Sequence, residues 1–430
     1  MSKVDGLPDA RALSALPADE LLEAVQRQTF RFFWEGAHPD CGLARDRIPV
    51  ASPDREDLVV TGGSGFGVMA LIVAVERGWV SRDEALARLR RMLDFLYRAT
   101  CYHGAFAHFI NGRTAATIPF WRRDDGADLV ETSFLIMGLL CARQYFERDT
   151  PAEREVRGRI CGLWEELEWS WYTQGGRNLL YWHWSPNNGW AMDHEIRGWN
   201  ECLVTYVLAA GHPRYPVDPQ VYHRGFASSS FFLNGRSYYD IPLQLGMAYG
   251  GPLFFCHYSF CGLDPRGLKD RYADYWAQNV NHVRINYEHC LANPGKFKGY
   301  GAQCWGLTAS DDPDGYSAHT PDNDNGTISP TAALSSLPYA PREAMHALRY
   351  FLGQQGERIW GRYGFVDAFC EQRNWVADTF LAIDQGPIVV MIENQRSGLL
   401  WKLFMSIPEV QAGLRRLDFS SPWLERVGRP

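Results

Sequence analysis

The sequence predicts an all-α protein, a single-domain (α/α)6 toroid of six helical hairpins with long loops forming a cleft at one end. Three observations carry that prediction. About twelve segments have helical periodicity, alternating strand patterns are scarce, and the helices are separated by long connections rich in Gly, Asp, Trp and Pro, with no linker and no shift in composition. A chain of 430 residues, 46% hydrophobic and 22% charged, can bury a large core as one domain. Residues 1–20 read as an N-terminal extension and 21–430 as the helical domain.

Taken in order, Leu21, Leu22, Val25, Gln26, Phe30 and Phe33 start the first helix. The second is expected to follow the glycine cluster Gly62, Gly63, Gly65 and Gly67, ending near Glu76 and Gly78. Ser81 is the N-cap of the third, with Glu84 as its capping-box partner and Ala85, Leu89, Met92, Leu93 and Leu96 on one face. Further helices are expected over 128–146, 152–171, 195–210, 242–261, 268–284, 329–337, 342–352, 376–394 and 398–405. Long connections in a compact domain are more often functional than idle, and these are rich in carboxylates and aromatics.

Charge narrows the function classes. Lys plus Arg number 43 against 50 Asp plus Glu, a net charge of −7, so the basic surplus needed for phosphate-backbone binding is missing and nucleic acid is not an expected partner. The 16 Trp, 20 Tyr and 23 Phe suit stacking on sugar rings and would equally fill a large helical core. Ten scattered cysteines without a CxxC pair read as small buried residues, giving neither a disulfide framework nor a zinc site. No stretch approaches the roughly 20 apolar residues of a membrane span. Met1 to Leu21 carries charges and no apolar run, so it does not read as a secretory signal. The chain as it stands reads as cytoplasmic, and as periplasmic if it is a mature form. The sequence leaves the oligomeric state open.

Several motifs fail on inspection. Gly63-Ser64-Gly65-Phe66-Gly67 lacks the third glycine of a dinucleotide turn, which would fall at Val68, and Gly62 to Phe66 misses the nucleophile elbow at Phe66. The Asp311–Gly315 and Asp322–Gly326 stretches place Ser310 and Pro321 where a calcium loop needs its first ligand. No paired HxxxH exists among the twelve histidines. Neither a metal nor another cofactor is expected.

The acids are more informative. Asp124, Asp128 and Glu131 would share one helical face if a helix began early, and Glu131 runs directly into the apolar stretch Phe134 to Met137, where an acid must be paired or face a cavity. Simple capping and helix-dipole roles remain open for Asp124, Asp125 and Asp128. A second concentration is the tryptophan-laden loop Trp182 to Trp190, followed by Asp193, His194, Glu195, Trp199 and Glu201. There Glu201 faces either the cleft or Arg197, four residues before it. Asp367 and Asp384, flanked by apolar residues, serve equally as cleft acids or loop anchors.

At these segments the chain resembles the glycoamylase-like family whose characterised members are β-1,2-glucanases, glycoside hydrolase family 144. The resemblance spans Thr29-Phe30-Arg31-Phe32-Phe33-Trp34 to Trp401. It includes Ala142-Arg143-Gln144-Tyr145-Phe146, Trp305-Gly306-Leu307-Thr308-Ala309-Ser310-Asp311, Trp360 to Phe369, Ile383-Asp384-Gln385-Gly386-Pro387 and Glu393 to Leu399. It implies an (α/α)6 barrel that cleaves β-1,2-glucan without a cofactor. It also places Asp124, Asp128, Glu131 and Glu201 on acidic positions implicated in the glucanase branch. A secretion signal expected of an exported glucanase is missing.

Glycosidic cleavage needs a proton for the leaving oxygen and an activated water or nucleophile at C1. The expectation is an inverting hydrolase with Glu201 as general acid, Asp128 or Glu131 as base or water-positioning group, Asp124 beside them, and Asp384 in reserve. Sugar platforms or contacts are expected from Trp121, Trp190, His194, Trp199, Trp305 and Asp311. Rival readings are a transglycosylase on the same scaffold, an α-glucan hydrolase and a non-catalytic glucan-binding protein.

Overall fold

The computed structural model describes residues 7–51 and 57–425, so the first six residues of the expected extension and the last five of the chain lie outside it. It is mainly helical, and its helices are of two kinds. Ala18–Trp34, Arg82–Leu96, Pro151–Glu165, Pro341–Tyr350 and Pro408–Arg416 bury one face. Thr61–Glu76, Leu129–Tyr145, Leu203–Gly211 and Ala382–Arg396 are buried nearly all round. An amphipathic helix covers a core and one apolar on every side lies within it, so the second kind forms the inner layer. One hydrophobic core runs from Leu13 to Phe419. Among the described residues no helix is long and apolar enough to cross a membrane.

The glycine cluster lies inside the second helix instead of before it, because glycine is what lets the inner helices touch. A Cβ at Gly65 would sit 2.1 Å from the Phe134 carbonyl oxygen, one at Gly138 2.1 Å from the Gly65 oxygen, and one at Gly63 2.7 Å from the Ala382 Cβ. Gly65→Ala should therefore cost about 3 kcal/mol, the upper end of overpacking, since backbone on the facing helix cannot move aside like a side chain. A urea midpoint equal to that of the wild type would contradict this packing.

The Ser81–Glu84 capping box forms as expected, and Asp128 caps the helix that starts at Leu129. Other boundaries differ. The segment expected as a helix over 242–261 is the strand Ile241–Leu245, paired with Leu233–Tyr238, followed by short 3-10 turns. Alternating burial of Ile241, Leu243 and Leu245 gives it a period of two, and the left-handed backbone at Gly246, Gly250 and Gly251 ends any regular run. The helix expected over 195–210 starts only at Leu203, since Glu195–Ile196 is a strand and Gly198 is left-handed at φ +83°. The regions expected as helix over 152–171 and 376–394 split likewise into Pro151–Glu165 with a 3-10 turn, and into short strands before Ala382–Arg396. The 268–284 and 329–337 helices become Tyr275–Ala292 and Pro330–Leu334. Short ladders of two strands, and one of three, which the sequence does not predict, stitch the loops together.

These loops gather where helix N-termini meet. Gly62 N–H donates to a Glu131 carboxylate oxygen at 2.6 Å, Thr61 N–H to the His108 carbonyl at 3.1 Å and Ala382 N–H to the Asp46 carbonyl at 2.8 Å. The Thr331 hydroxyl donates to the Asp384 carbonyl at 2.9 Å. Unpaired N–H groups and aligned dipoles at helix starts favour negative charge, which suits an end of the molecule that collects acids.

Candidate active site

Asp128 is held on both oxygens. Oδ1 accepts the Val130 and Glu131 N–H groups at 3.0 and 2.9 Å, and Oδ2 lies 3.0 Å from His108 Nδ1. The ladder pairing Asp128 with His183 brings that ring within 3.7 Å of Asp128 and 3.3 Å of Asp124. Burial opposes ionisation of Asp128, yet His108, His183 and the backbone donors overcome it and lower its pKa. Burial equally opposes charge on His108, but Glu131, Asp128 and Asp46 together raise its pKa to about 9. Asp124 reaches this group through a turn closed on Trp121, so the three acids meet without sharing a helical face. Desolvation, then the Asp128 charge, push Asp124 up to about 7.

Glu131 and Glu201 are the acids pushed towards neutrality. Burial takes Glu131 to about 7, with the Asp128 charge adding and His108 and the Gly62 N–H opposing. Burial also takes Glu201 to about 7, with a hydrogen bond from its own backbone opposing and the charges of Glu131 and Asp128 adding. Glu201 precedes its helix, anchored by the Ser259 hydroxyl on its carbonyl, while Arg197 pairs with Glu195 at 3.0 Å and leaves Glu201 alone. The expected i−4 alternative is therefore excluded.

A second acidic group forms around Asp367 and Asp384. Asp367 and Asp384 interact: burial and then the Asp311 charge take Asp367 up to about 7 against the opposing interaction with Asp384, while burial, Asp367 and Asp311 hold Asp384 well above the usual carboxylate range. Asp367 Oδ1 and Asp384 Oδ2 are buried without a hydrogen-bond partner among the described residues, which disfavours charge on both carboxyls at once. Asp311 donates its N–H to Asp367 at 2.6 Å and receives Arg47 at 3.1 Å and the Thr379 hydroxyl. Asp46, raised by burial, feels both His108 and Asp311 and so links the two acidic groups. Buried Tyr258 links them again: desolvation first, then Asp384, Tyr316, Glu201 and Asp367 raise its phenol.

The aromatic expectations divide. Trp121 is 70% exposed and Phe120, beside it, packs on His108 at 4.7 Å. Exposed His194 stacks on Trp182 at 4.8 Å, and half-buried Trp190 joins Trp171, Tyr172 and Tyr181. Trp199 and Trp305 are core residues, which corrects their expected platform role. Trp199 is enclosed by Phe232, Phe260 and Tyr275, and Trp305 by Tyr287 and the Glu343 carbonyl, leaving neither a face for a sugar. Asp324 bonds Tyr300 at 2.7 Å and His289 at 2.9 Å, a loop anchor.

Sequence reasoning missed His108, His183, Asp46, Arg47, Tyr258 and Tyr316. None sits in a spaced motif: strand pairings position Arg47, His183 and Tyr316, His108 and Asp46 lie next to paired strands, and Tyr258 comes from between two 3-10 turns. Among the described residues no cluster of three or more His, Cys, Asp or Glu is arranged to hold a metal ion. What the site offers is a carboxylate held ionised beside acids that keep their protons to about neutral pH, the division of labour that acid–base cleavage requires.

Comparison with known proteins points the same way. The Glycoamylase family model matches residues 193–408. The exo β-1,2-glucooligosaccharide sophorohydrolase (non-reducing end) of Parabacteroides distasonis is 44% identical over 95% of this chain, which spans 60% of that relative's length. A crystal structure from Bacteroides uniformis is 57% identical, covering 95% of this chain and 99% of its own, with a TM-score of 0.93. The endo-β-1,2-glucanase of Chitinophaga pinensis, solved with sophorotriose and glucose, is 52% identical over 95% of this chain and 100% of its own, also at 0.93.

Proposed function

The chain belongs to the Glycoamylase family, among its β-1,2-glucanase relatives, and from that premise we propose that it is a glycoside hydrolase cleaving β-1,2-glucan, either internally or by releasing sophorose and short oligosaccharides. In this reading residues 21–430 form one (α/α)6 toroid after the extension 1–20, and the division into inner and covering helices supports it. The observation that carries the function is the electrostatic convergence of Glu201 with Glu131 and Asp128 at the helix N-termini.

Glu201, protonated to about pH 7, donates its proton to the glycosidic oxygen as the C1–O bond breaks. A water attacks C1 from the opposite face and gives its proton to Glu131, which acts in its ionised form, so the working state has Glu131 ionised and Glu201 protonated; C1 is left inverted. Asp128 has both oxygens committed to the helix start and His108, so it positions the group and lends charge. Asp384, beside Asp367, is the second base candidate. Trp121 and His194, both exposed near these acids, are the sugar contacts this reading retains. Trp190 stays with its aromatic cluster behind them.

The test is incubation with linear β-1,2-glucan, following the anomeric form of the first product by NMR. The α anomer and shortening chains are expected, with turnover falling on both sides of about pH 7, on the acid side as Glu131 gains a proton and on the alkaline side as Glu201 loses one. Initial release of the β anomer would overturn inversion, and larger or cyclic products would favour transglycosylation. Glucose release from starch without action on β-1,2-glucan would overturn the substrate assignment.

A further inference from the structure

We infer that Tyr316 grips the substrate: its phenol hydroxyl hydrogen-bonds a sugar hydroxyl in the gap between Glu201 and the Asp367–Asp384 pair, an inference that rests on the glucan-hydrolase reading above.

Tyr316 lies on the hairpin formed by Ala309–Asp312 and Gly315–Ala318, directly opposite Asp311 in the ladder. Asp311 is pinned by Arg47 and Thr379 and donates its N–H to Asp367, so the strand paired with Tyr316 forms one wall of the carboxyl pair. The hairpin is fixed at its tip. Asn325 donates to Asp312 at 3.1 Å, Asp312 accepts the Asp314 N–H at 2.7 Å, and Arg373 pairs with Asp314. A tethered hairpin holds its side chains in place without help from the ring itself.

The ring is 54% exposed, so packing does not explain it. Its hydroxyl has no hydrogen-bond partner among the described residues, although Asp384, Asp367, Asp46 and Asp311 all lie close enough for their charges to act on it. Desolvation first, then Asp384, Tyr316 and Glu201 raise the phenol of buried Tyr258, so Tyr316 and Glu201 both act on that ring. A phenol ordinarily keeps its proton to about pH 10, so Tyr316 is a donor at every pH where the acids work. A sugar ring entering this gap brings hydroxyls that accept the phenol proton and a flat face that suits an aromatic ring.

The test compares Tyr316→Phe with its parent twice. Sophorotriose binding is measured by calorimetry in the Glu201→Gln background, and kcat and KM on linear β-1,2-glucan are measured with Glu201 intact. One lost hydrogen bond predicts a Kd raised roughly 3- to 10-fold, a matching loss in kcat/KM and an unchanged thermal midpoint. Tyr316→Ala, which also removes the flat face, should lose more. Binding and kcat/KM within twofold of the parent would overturn the role of Tyr316 and leave the hydrolase reading intact. A wild-type protein inactive on β-1,2-glucan would overturn the hydrolase reading and this inference with it.

Discussion

Replacing Glu201 with Gln should lower kcat on linear β-1,2-glucan by about 10²- to 10⁴-fold, the range that general acid catalysis contributes, while KM changes only a few-fold. Gln keeps the shape of the side chain and its contacts but has no proton to give the leaving oxygen. Fold stability should hold. Glu201 makes no ion pair among the described residues, and burial already disfavours its charge, so the neutral amide removes an electrostatic cost. The thermal midpoint should match or exceed that of the wild type, which separates lost chemistry from lost structure. Turnover within tenfold of wild type would remove Glu201 from the acid role.

Asp128→Ala should lose both activity and stability. The substitution strips the cap from the Leu129–Tyr145 helix, typically about 1 kcal/mol, and leaves His108 without its partner at 3.0 Å. Breaking a buried pair on one side costs about 3–5 kcal/mol, which sets the scale of the expected shift in urea midpoint. Asp128→Asn keeps an oxygen for the cap but loses the charge, so it should recover part of the stability and little of the activity. The pH dependence has a definite sign. Because the pKa of folded Asp128 is depressed, its contribution is present above the ordinary carboxyl value of about 3.9 and is lost as pH falls through its lower folded value. The stability gap between wild type and Asp128→Ala should therefore narrow on acidification below about pH 4. A gap unchanged from pH 7 to pH 3 would contradict the ion pair.

How much of this was legible in the sequence depended on range. Local chemistry was readable: the Ser81–Glu84 box and the Asp128 cap act within three residues and need no tertiary partner. Glu131 stood out because an acid entering an apolar run must be answered by something, and the structure supplies the Gly62 N–H. Glycines 62 to 67 misled, since the usual meaning of a glycine cluster is a loop. Here their missing Cβ atoms bring two inner helices into backbone contact, a tertiary gain that overrides helix propensity. Trp199 and Trp305 could not be sorted from Trp121 by residue type, because an indole suits a core and a sugar face alike. His108 and Tyr316 were invisible for a different reason: each reaches the acids through a two- or three-strand ladder whose register no spacing in the chain encodes.

The most direct measurement is a crystal structure of Glu201→Gln with a β-1,2-linked oligosaccharide of four or more sugars. The account predicts a glycosidic oxygen within hydrogen-bonding distance of the residue 201 amide, Glu131 on the opposite face of the cleaved sugar, and Asp128 still bound to His108. Sugar seated elsewhere, or crossing the site with both acids on the same face of the ring, would contradict it.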